Sequence, residues 1–262
     1  AKSWPDNFIF AGNFFRMGYL IIAILLSTLI IVTFRVFNYF HISIVQAITV
    51  NYLVASVFGF MSEAGSFNPV ALPDQSWFYF SILMGLSLIV AFNLFALSAQ
   101  KAGVAITAIS SRMSVAIPVT LGFLLFDDSS GLLKIAGIIT GLIAFYLTSK
   151  KDKTIRVNKS YLFLPILLFL AVGTNDSLMK VAQHFFITND FVPFLATSFG
   201  FALVFGLVVF AYKSVHEKRK IEFKNIFAGI ILGLLNWYST LFVLKGLDIF
   251  EVSLFMPVYN IG

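Results

Sequence analysis

The sequence predicts an all-α integral membrane protein: ten helices in two five-helix (5+5) repeats of opposite orientation, with the chain ending inside helix 9. Three observations carry this. Charged residues make up only 11% of the chain, against roughly 25% in a soluble domain, while 59% are hydrophobic and 32 are phenylalanine. Apolar runs long enough to cross a bilayer follow one another throughout. Similar stretches recur about 147 residues apart.

A soluble fold of 262 residues cannot hide so much apolar surface, because much of any globular surface faces water. The solvent is therefore lipid. There is no cysteine, which excludes disulfides, thiolate metal sites and thiol nucleophiles. The net charge of +6 comes from basic residues grouped in short connections between apolar runs. That grouping orients a membrane protein and is not a nucleic-acid footprint.

A hydrocarbon core of ~30 Å takes ~20 helical residues. Residues 1–16 carry no sustained helical pattern and no initiator Met, whereas Met17 opens directly onto an apolar run. They are expected to be extraneous, with an interfacial N-terminal segment as the alternative. The first repeat, 17–149, supplies candidate spans over 17–40, 42–63, 77–100, 104–126 and 132–149. A basic linker, 150–160, leads to the second repeat, 161–262, with spans over 161–186, 191–213 and 225–247. A ninth begins near Glu251, whose charge suits a helix N-terminus. It has only about 12 residues, or ~18 Å, before Gly262, so it and a tenth are expected to run on to about residue 297.

The repeat rests on several weak matches that agree. "SILMGLSLIVAFNLFALSAQKAG" (81–103) resembles "AGIILGLLNWYSTLFVLKGLD" (228–248), setting Gly85 against Gly233. At an offset of 147 Arg112 falls against Tyr259, and at 145 "FRVFNYFHI" (34–42) matches "MKVAQHFFI" (179–187), pairing Arg35 with Lys180, so the offset stays between 145 and 148. Because five is odd, the second unit enters the membrane from the opposite face. Inverted repeats of this kind are typical of secondary transporters, whose solute site lies near the midplane between them.

Two stretches resemble the drug/metabolite transporter superfamily, in particular its EamA-type members. "VGTNDSLMKVAQ" (172–183) is similar to that family's Trp-Gly-Ser-Asn-Phe…Lys opening of a repeat: Gly173, Asn175 and Lys180 match, while Val172 and Asp176 replace Trp and Phe. The first repeat keeps only Arg35, at the Lys position. "NLFALSAQKAGVAITAISSRMSVAIPVTLGFLLFDD" (93–128) looks like the family's helix 3–4 stretch, with Asp127-Asp128 where Gly-Glu is common. The resemblance covers roughly 17–262. It implies a ten-helix carrier of small metabolites, most often an exporter, in the inner (plasma) membrane of a bacterium.

Orientation follows from charge. Lys101, five basic residues in 150–160 and five in 213–224 lie on one side, whereas the opposite connections carry Glu63, Asp74, Asp127, Asp128 and Asp190. The positive side is cytoplasmic, so the charges place the N-terminus outside. EamA-type carriers usually have it inside, and the two expectations conflict.

The polar residues within the spans are the candidate site. Arg112 interrupts an apolar run; on a helical wheel Ile106, Ile109, Met113 and Ile117 form a lipid-facing stripe and Arg112 points away, among small residues. An intramembrane charge usually lines a cavity or meets a partner. Its guanidinium suits a carboxylate or phosphate, with a structural ion pair to Asp176 or snorkelling to the headgroups as alternatives. Asp176 is a candidate proton carrier, or an ion-pair partner of Lys180 one turn on. Lys180 and Arg35 are coupling residues or boundary cations. Asn51, Asn93 and Asn175 are expected to bind solute, while Asn51, Asn93, Asn236 and Gln46 alternatively make plain hydrogen bonds between helices. Trp237, Tyr238 and Tyr259 form an aromatic wall, or merely pack.

The expected partners are the lipid bilayer, a small-molecule solute, protons as coupling ion and a second copy in a homodimer. No cofactor is expected. The sequence therefore reads as a secondary active transporter of an amino acid or organic acid. A non-transporting scaffold or receptor is the rival. An embedded enzyme is less supported, because His-Glu-x-x-His, Gly-x-Ser-x-Gly and Gly-x-Gly-Asp are all absent and the three histidines lie at connections.

Overall fold

The computed structural model describes residues 6–62, 69–125, 163–187, 190–217 and 221–247, together with Ala136, Ile139, Thr140, Ile143, Tyr161 and Tyr259. The candidate span 132–149, the linker 150–160 and the start of the ninth span at Glu251 lie largely or wholly outside these residues. The described elements are α1 (Asp6–Tyr39), α2 (Ile44–Ser62), a short 3-10 helix (Pro69–Asp74), α3 (Phe78–Lys101), α4 (Val104–Met113), α5 (Ala116–Leu125), α6 (Phe163–Phe185), α7 (Phe191–Glu217) and α8 (Phe223–Leu247). No strand occurs among the described residues. Seven helical stretches there are long and apolar enough to cross a membrane, α4 and α5 counting as one. The protein is multi-pass.

Two boundaries differ from expectation. The helix α1 begins at Asp6, well ahead of Met17. No proline lies between them and residues 8–15 are mostly apolar, so nothing in the chain stops the helix there. The expected continuous span 104–126 is broken at Ser114-Val115. Pro118 has no N–H for the carbonyl of Ser114, and its ring crowds that turn. The Ile117 N–H donates to Ser114 instead, at 2.9 Å, tightening the backbone there. The change of direction also turns Ile117 out of the expected lipid-facing stripe and onto α6.

Helix ends are closed by backbone geometry. At the end of α1 the N–H of Ile42 donates to Phe37 and that of His41 to Asn38, with His41 in the left-handed region at φ 53°. This is a Schellman closure with His at the position glycine usually takes. The end of α6 repeats the long bond, Ile187 N–H to Ala182. Gly103, at φ 108°, turns α3 into α4, and Ser98 and Thr107 join the two across the turn at 2.7 Å.

The centre is a tight packing of α2, α3, α7 and α8. Small residues set the distances. A Cβ on Gly59 of α2 would lie 2.7 Å from that of Ala196, and one on Gly206 would lie 3.1 Å from the hydroxyl of Thr49. As α2 advances from 49 to 59, its neighbours on α7 fall from 206 to 196, so the two run antiparallel. Gly229 and Gly233 of α8 press on Ala47, Val50 and Val54 of α2, a parallel pairing. Gly85 of α3 meets Ser198, Phe201 and Ala202 of α7, and Ile89 lies by Gly206, again parallel. Close approach of this kind is what holds helices together where lipid offers no hydrophobic drive.

Around these seams pack Phe34, Tyr52, Met84, Phe194, Phe199 and Trp237, all buried. Hydroxyls inside the bundle are satisfied locally: Thr49, Thr107, Ser177 and Ser198 each donate to the carbonyl four residues earlier. Leu25, Ile166 and Val208 lie outside, each more than half exposed, where lipid solvates them.

Candidate functional site

The break between α4 and α5 positions the first functional group. Arg112 sits at the end of α4, partly buried, and its Nη1 donates to the backbone carbonyl of Tyr259 at 3.4 Å. Ser114 closes the turn by donating to Ser111 at 2.5 Å. On α6, Gly173 has no side chain, and Ile117 occupies the space its Cβ would need. That contact seats α6 against the start of α5 and brings the rest of "GTNDS" beside the break.

Next to Gly173, the side chain of Asn175 hydrogen-bonds Asp176, while its own Oδ1 is buried without a partner. Asp176 and Arg112 both act electrostatically on the Tyr259 phenol. The same hydroxyl is in hydrogen-bonding contact with Ser239 of α8 and Ser27 of α1. Four helices and Tyr259 therefore converge on one polar cluster: Ser27, Arg112, Asn175, Asp176, Ser239 and Tyr259. Chemically it offers a cation, a carboxylate, a phenol and an orphan amide oxygen, in a partly buried setting. Such a set can hold a small solute bearing charge.

The remaining sequence candidates lie elsewhere. Asn51 and Asn236 meet across the α2–α8 seam, with Asn236 Nδ2 donating to Asn51 Oδ1 at 3.2 Å, and Asn51 Nδ2 is buried without a partner. Asn93 donates to the carbonyl of Ile89 in its own helix. The expected aromatic wall divides. Trp237 is 2% exposed, edge-on to Phe199 and against Gly59, so it is packing. Tyr238 is 41% exposed beside Phe58, on the outer surface. Adjacent helical residues point ~100° apart, and only Tyr259 of the three enters the cluster. Arg35 is exposed on α1, and Lys180 is partly buried one turn beyond Asp176.

Ser27 and Ser239 were not singled out in the sequence, since a serine in an apolar helix usually bonds its own backbone, as Ser27 also does to Ile24. Asn225 was missed too. It donates to Gln46 Oε1 at 2.7 Å and accepts from the Ser43 N–H at 2.9 Å.

No family model matches the chain. It is similar to an uncharacterized protein of Haemophilus influenzae, 27% identical over 257 residues, covering 94% of this chain and 85% of the relative.

Proposed function

We propose that the chain is a secondary transporter of a small organic solute bearing a carboxylate, such as an amino acid or organic acid, working by alternating access between two inverted five-helix repeats. The polar cluster around Arg112 and Tyr259 carries this reading. These two residues stand 147 apart, and they touch. Contact between repeat-equivalent positions is expected only on the pseudo-two-fold axis, where such carriers place their solute.

The packing supports the same symmetry. Gly59 faces Ala196 and Trp237, and Gly206 faces Thr49 and Ile89. Shifting 49, 59 and 89 by 147 or 148 gives 196, 206 and 237. Gly85 and Gly233 likewise face Ser198 with Phe201 and Asn51 with Val54, equivalent pairs at the same shift. Helices α2 and α3 run opposite to their counterparts α7 and α8, as inversion requires. Ten spans in all, export, a resemblance to EamA-type carriers and proton coupling through Asp176 belong to the same proposal. So does a place in a bacterial plasma membrane, in keeping with the Haemophilus relative.

In the solute-bound state Arg112 exchanges the carbonyl of Tyr259 for the solute's carboxylate, a stronger charge-assisted pair. The test is a thermal-shift screen in detergent of amino acids, dicarboxylates, sugar phosphates and organic cations, on the wild type and on Arg112→Gln. A ligand that binds only the folded state stabilises it by about 2.7 kcal/mol at a hundred times its Kd. A carboxylated solute should raise the melting temperature of the wild type and not of the variant. An equal rise in both removes Arg112 from the site.

A further inference from the structure

The packing of α6 holds one carboxamide of the Arg112 cluster in a fixed sense. Ile117 fills the space beside Gly173, and Ser177, one turn on, returns its hydroxyl to the Gly173 carbonyl at 2.6 Å. Asn175 lies between these two positions, so the helix is seated on both sides of it. Its side chain hydrogen-bonds Asp176, while its Oδ1 is buried with no partner. The bond to Asp176 therefore runs through the amide nitrogen, and the oxygen is turned away from that carboxyl.

A buried carbonyl oxygen without a donor forfeits free energy, most of all inside a membrane. Leucine has nearly the same volume as asparagine and would carry no such cost. The orphan oxygen is accounted for by a donor that arrives with the ligand. The neighbouring carboxyl favours a donor that is a cation, and a charge-assisted hydrogen bond is about twice as strong as a neutral one. A hydroxyl would gain little from that neighbour. A solute with a carboxylate alone would bring negative charge towards Asp176 with no positive charge of its own to answer it. A zwitterion complements Arg112 with one end and the Asn175–Asp176 pair with the other.

We propose that Asn175 is a specificity-determining residue: its Oδ1 receives the ammonium of the solute whose carboxylate Arg112 holds. The solute is then a zwitterionic amino acid and not an organic acid. This inference rests on the reading of the Arg112 cluster as the solute site, and it narrows that reading. Asp176 contributes by fixing which end of the Asn175 amide is offered.

The test is binding of matched probes to the full chain in detergent, read by thermal shift over a range of concentrations. The sets are alanine, lactate and propionate; aspartate, malate and succinate; phenylalanine, 3-phenyllactate and 3-phenylpropionate; and 4-aminobutyrate with butyrate. Within a set the probes share a carbon skeleton and differ in whether one carbon bears an amine, a hydroxyl or hydrogen. In at least one set the amine-bearing member should bind the wild type about ten- to a hundredfold more tightly than the others. Asn175→Leu should abolish that preference, weakening the amine-bearing probe by a similar factor and leaving the deaminated acid as it was. Asn175→Ala removes the same oxygen and takes its place if the leucine variant does not fold. Arg112→Gln should weaken every member of the set. Deaminated or hydroxy acids that bind as tightly as the amine overturn the proposal and leave carboxylate binding at Arg112 standing. A preference for the amine that survives both Asn175 substitutions overturns it too. If the wild type binds no member of any set, the carboxylate reading itself falls, and this inference with it.

Discussion

The two N-terminal ends of the central seams occupy equivalent places in the proposed repeat and are built from opposite chemistry. Where α2 and α8 begin, Gln46, Ser43 and Asn225 hold the helices by hydrogen bonds beside a polar cavity. Where α7 and α3 begin, the positions related by 147 or 148 residues are Pro193 and Trp77. There Trp77 packs edge-on against Phe194 at 6.0 Å, and Phe80 stacks on Phe186 at 5.2 Å. One end is wettable and the other is sealed by rings. Equivalent helix ends thus carry hydrogen-bonded carboxamides on one side and packed rings on the other.

The largest expected effect lies at the ring-packed end. Trp77 is 2% exposed, so Trp77→Ala should destabilise the protein by about 3–5 kcal/mol. Gln46→Ala leaves Asn225 and the Glu222 N–H to water in the adjoining cavity, and should cost about 1 kcal/mol. Chemical or thermal unfolding in detergent compares the two; equal losses would show that the ends are held alike.

A second pair of substitutions sharpens the symmetry itself. Added Cβ atoms at Gly85 and at Gly233 would each lie 2.7 Å from a neighbouring Cβ and 2.8 and 2.9 Å from a carbonyl oxygen, respectively. Gly85→Ala and Gly233→Ala should therefore lower stability by similar amounts, about 1–3 kcal/mol each. Gly18→Ala, inside α1 with nothing within 4 Å, should cost nothing and gain up to about 1 kcal/mol. A tolerated Gly85→Ala beside a damaging Gly233→Ala would mean that the seams are not equivalent.

The smallest expected effect lies between Asn51 and Asn236. Their single hydrogen bond, at 3.2 Å, should give a coupling of about 0.6 kcal/mol in a double-mutant cycle with leucine. A coupling several times larger would make this pair, and not tight small-residue packing, the fastening of the α2–α8 seam.

Much of the fold was legible in the sequence because lipid imposes it. Runs such as 77–100 and 225–247 are apolar over bilayer length and have no other stable solution than a helix. Gly85 and Gly233, set against each other in the sequence, both sit at close helix contacts, because a missing Cβ has a geometric consequence. The site was legible in part. Arg112, Asp176 and Asn175 stand out since polar groups in lipid are costly. Ser27 and Ser239 do not, because a hydroxyl can always return to its own helix. The division of Trp237 from Tyr238 depended on the rotation of α8, which a composition rich in aromatics on every face leaves undetermined. The broken span at Ser114 was signalled by Pro118, but the sequence alone gave no measure of how far the break turns Ile117 towards Gly173.

Solute is proposed to cross the membrane at the Arg112 cluster. The most direct test is counterflow in proteoliposomes: the purified chain, vesicles loaded with the carboxylated solute found by thermal shift, and labelled solute added outside. Label should accumulate saturably, and Arg112→Gln should abolish the accumulation while Tyr238→Ala, on the outer surface, leaves it intact. Binding of that solute with no flux above protein-free vesicles would contradict it, and would make the protein a receptor.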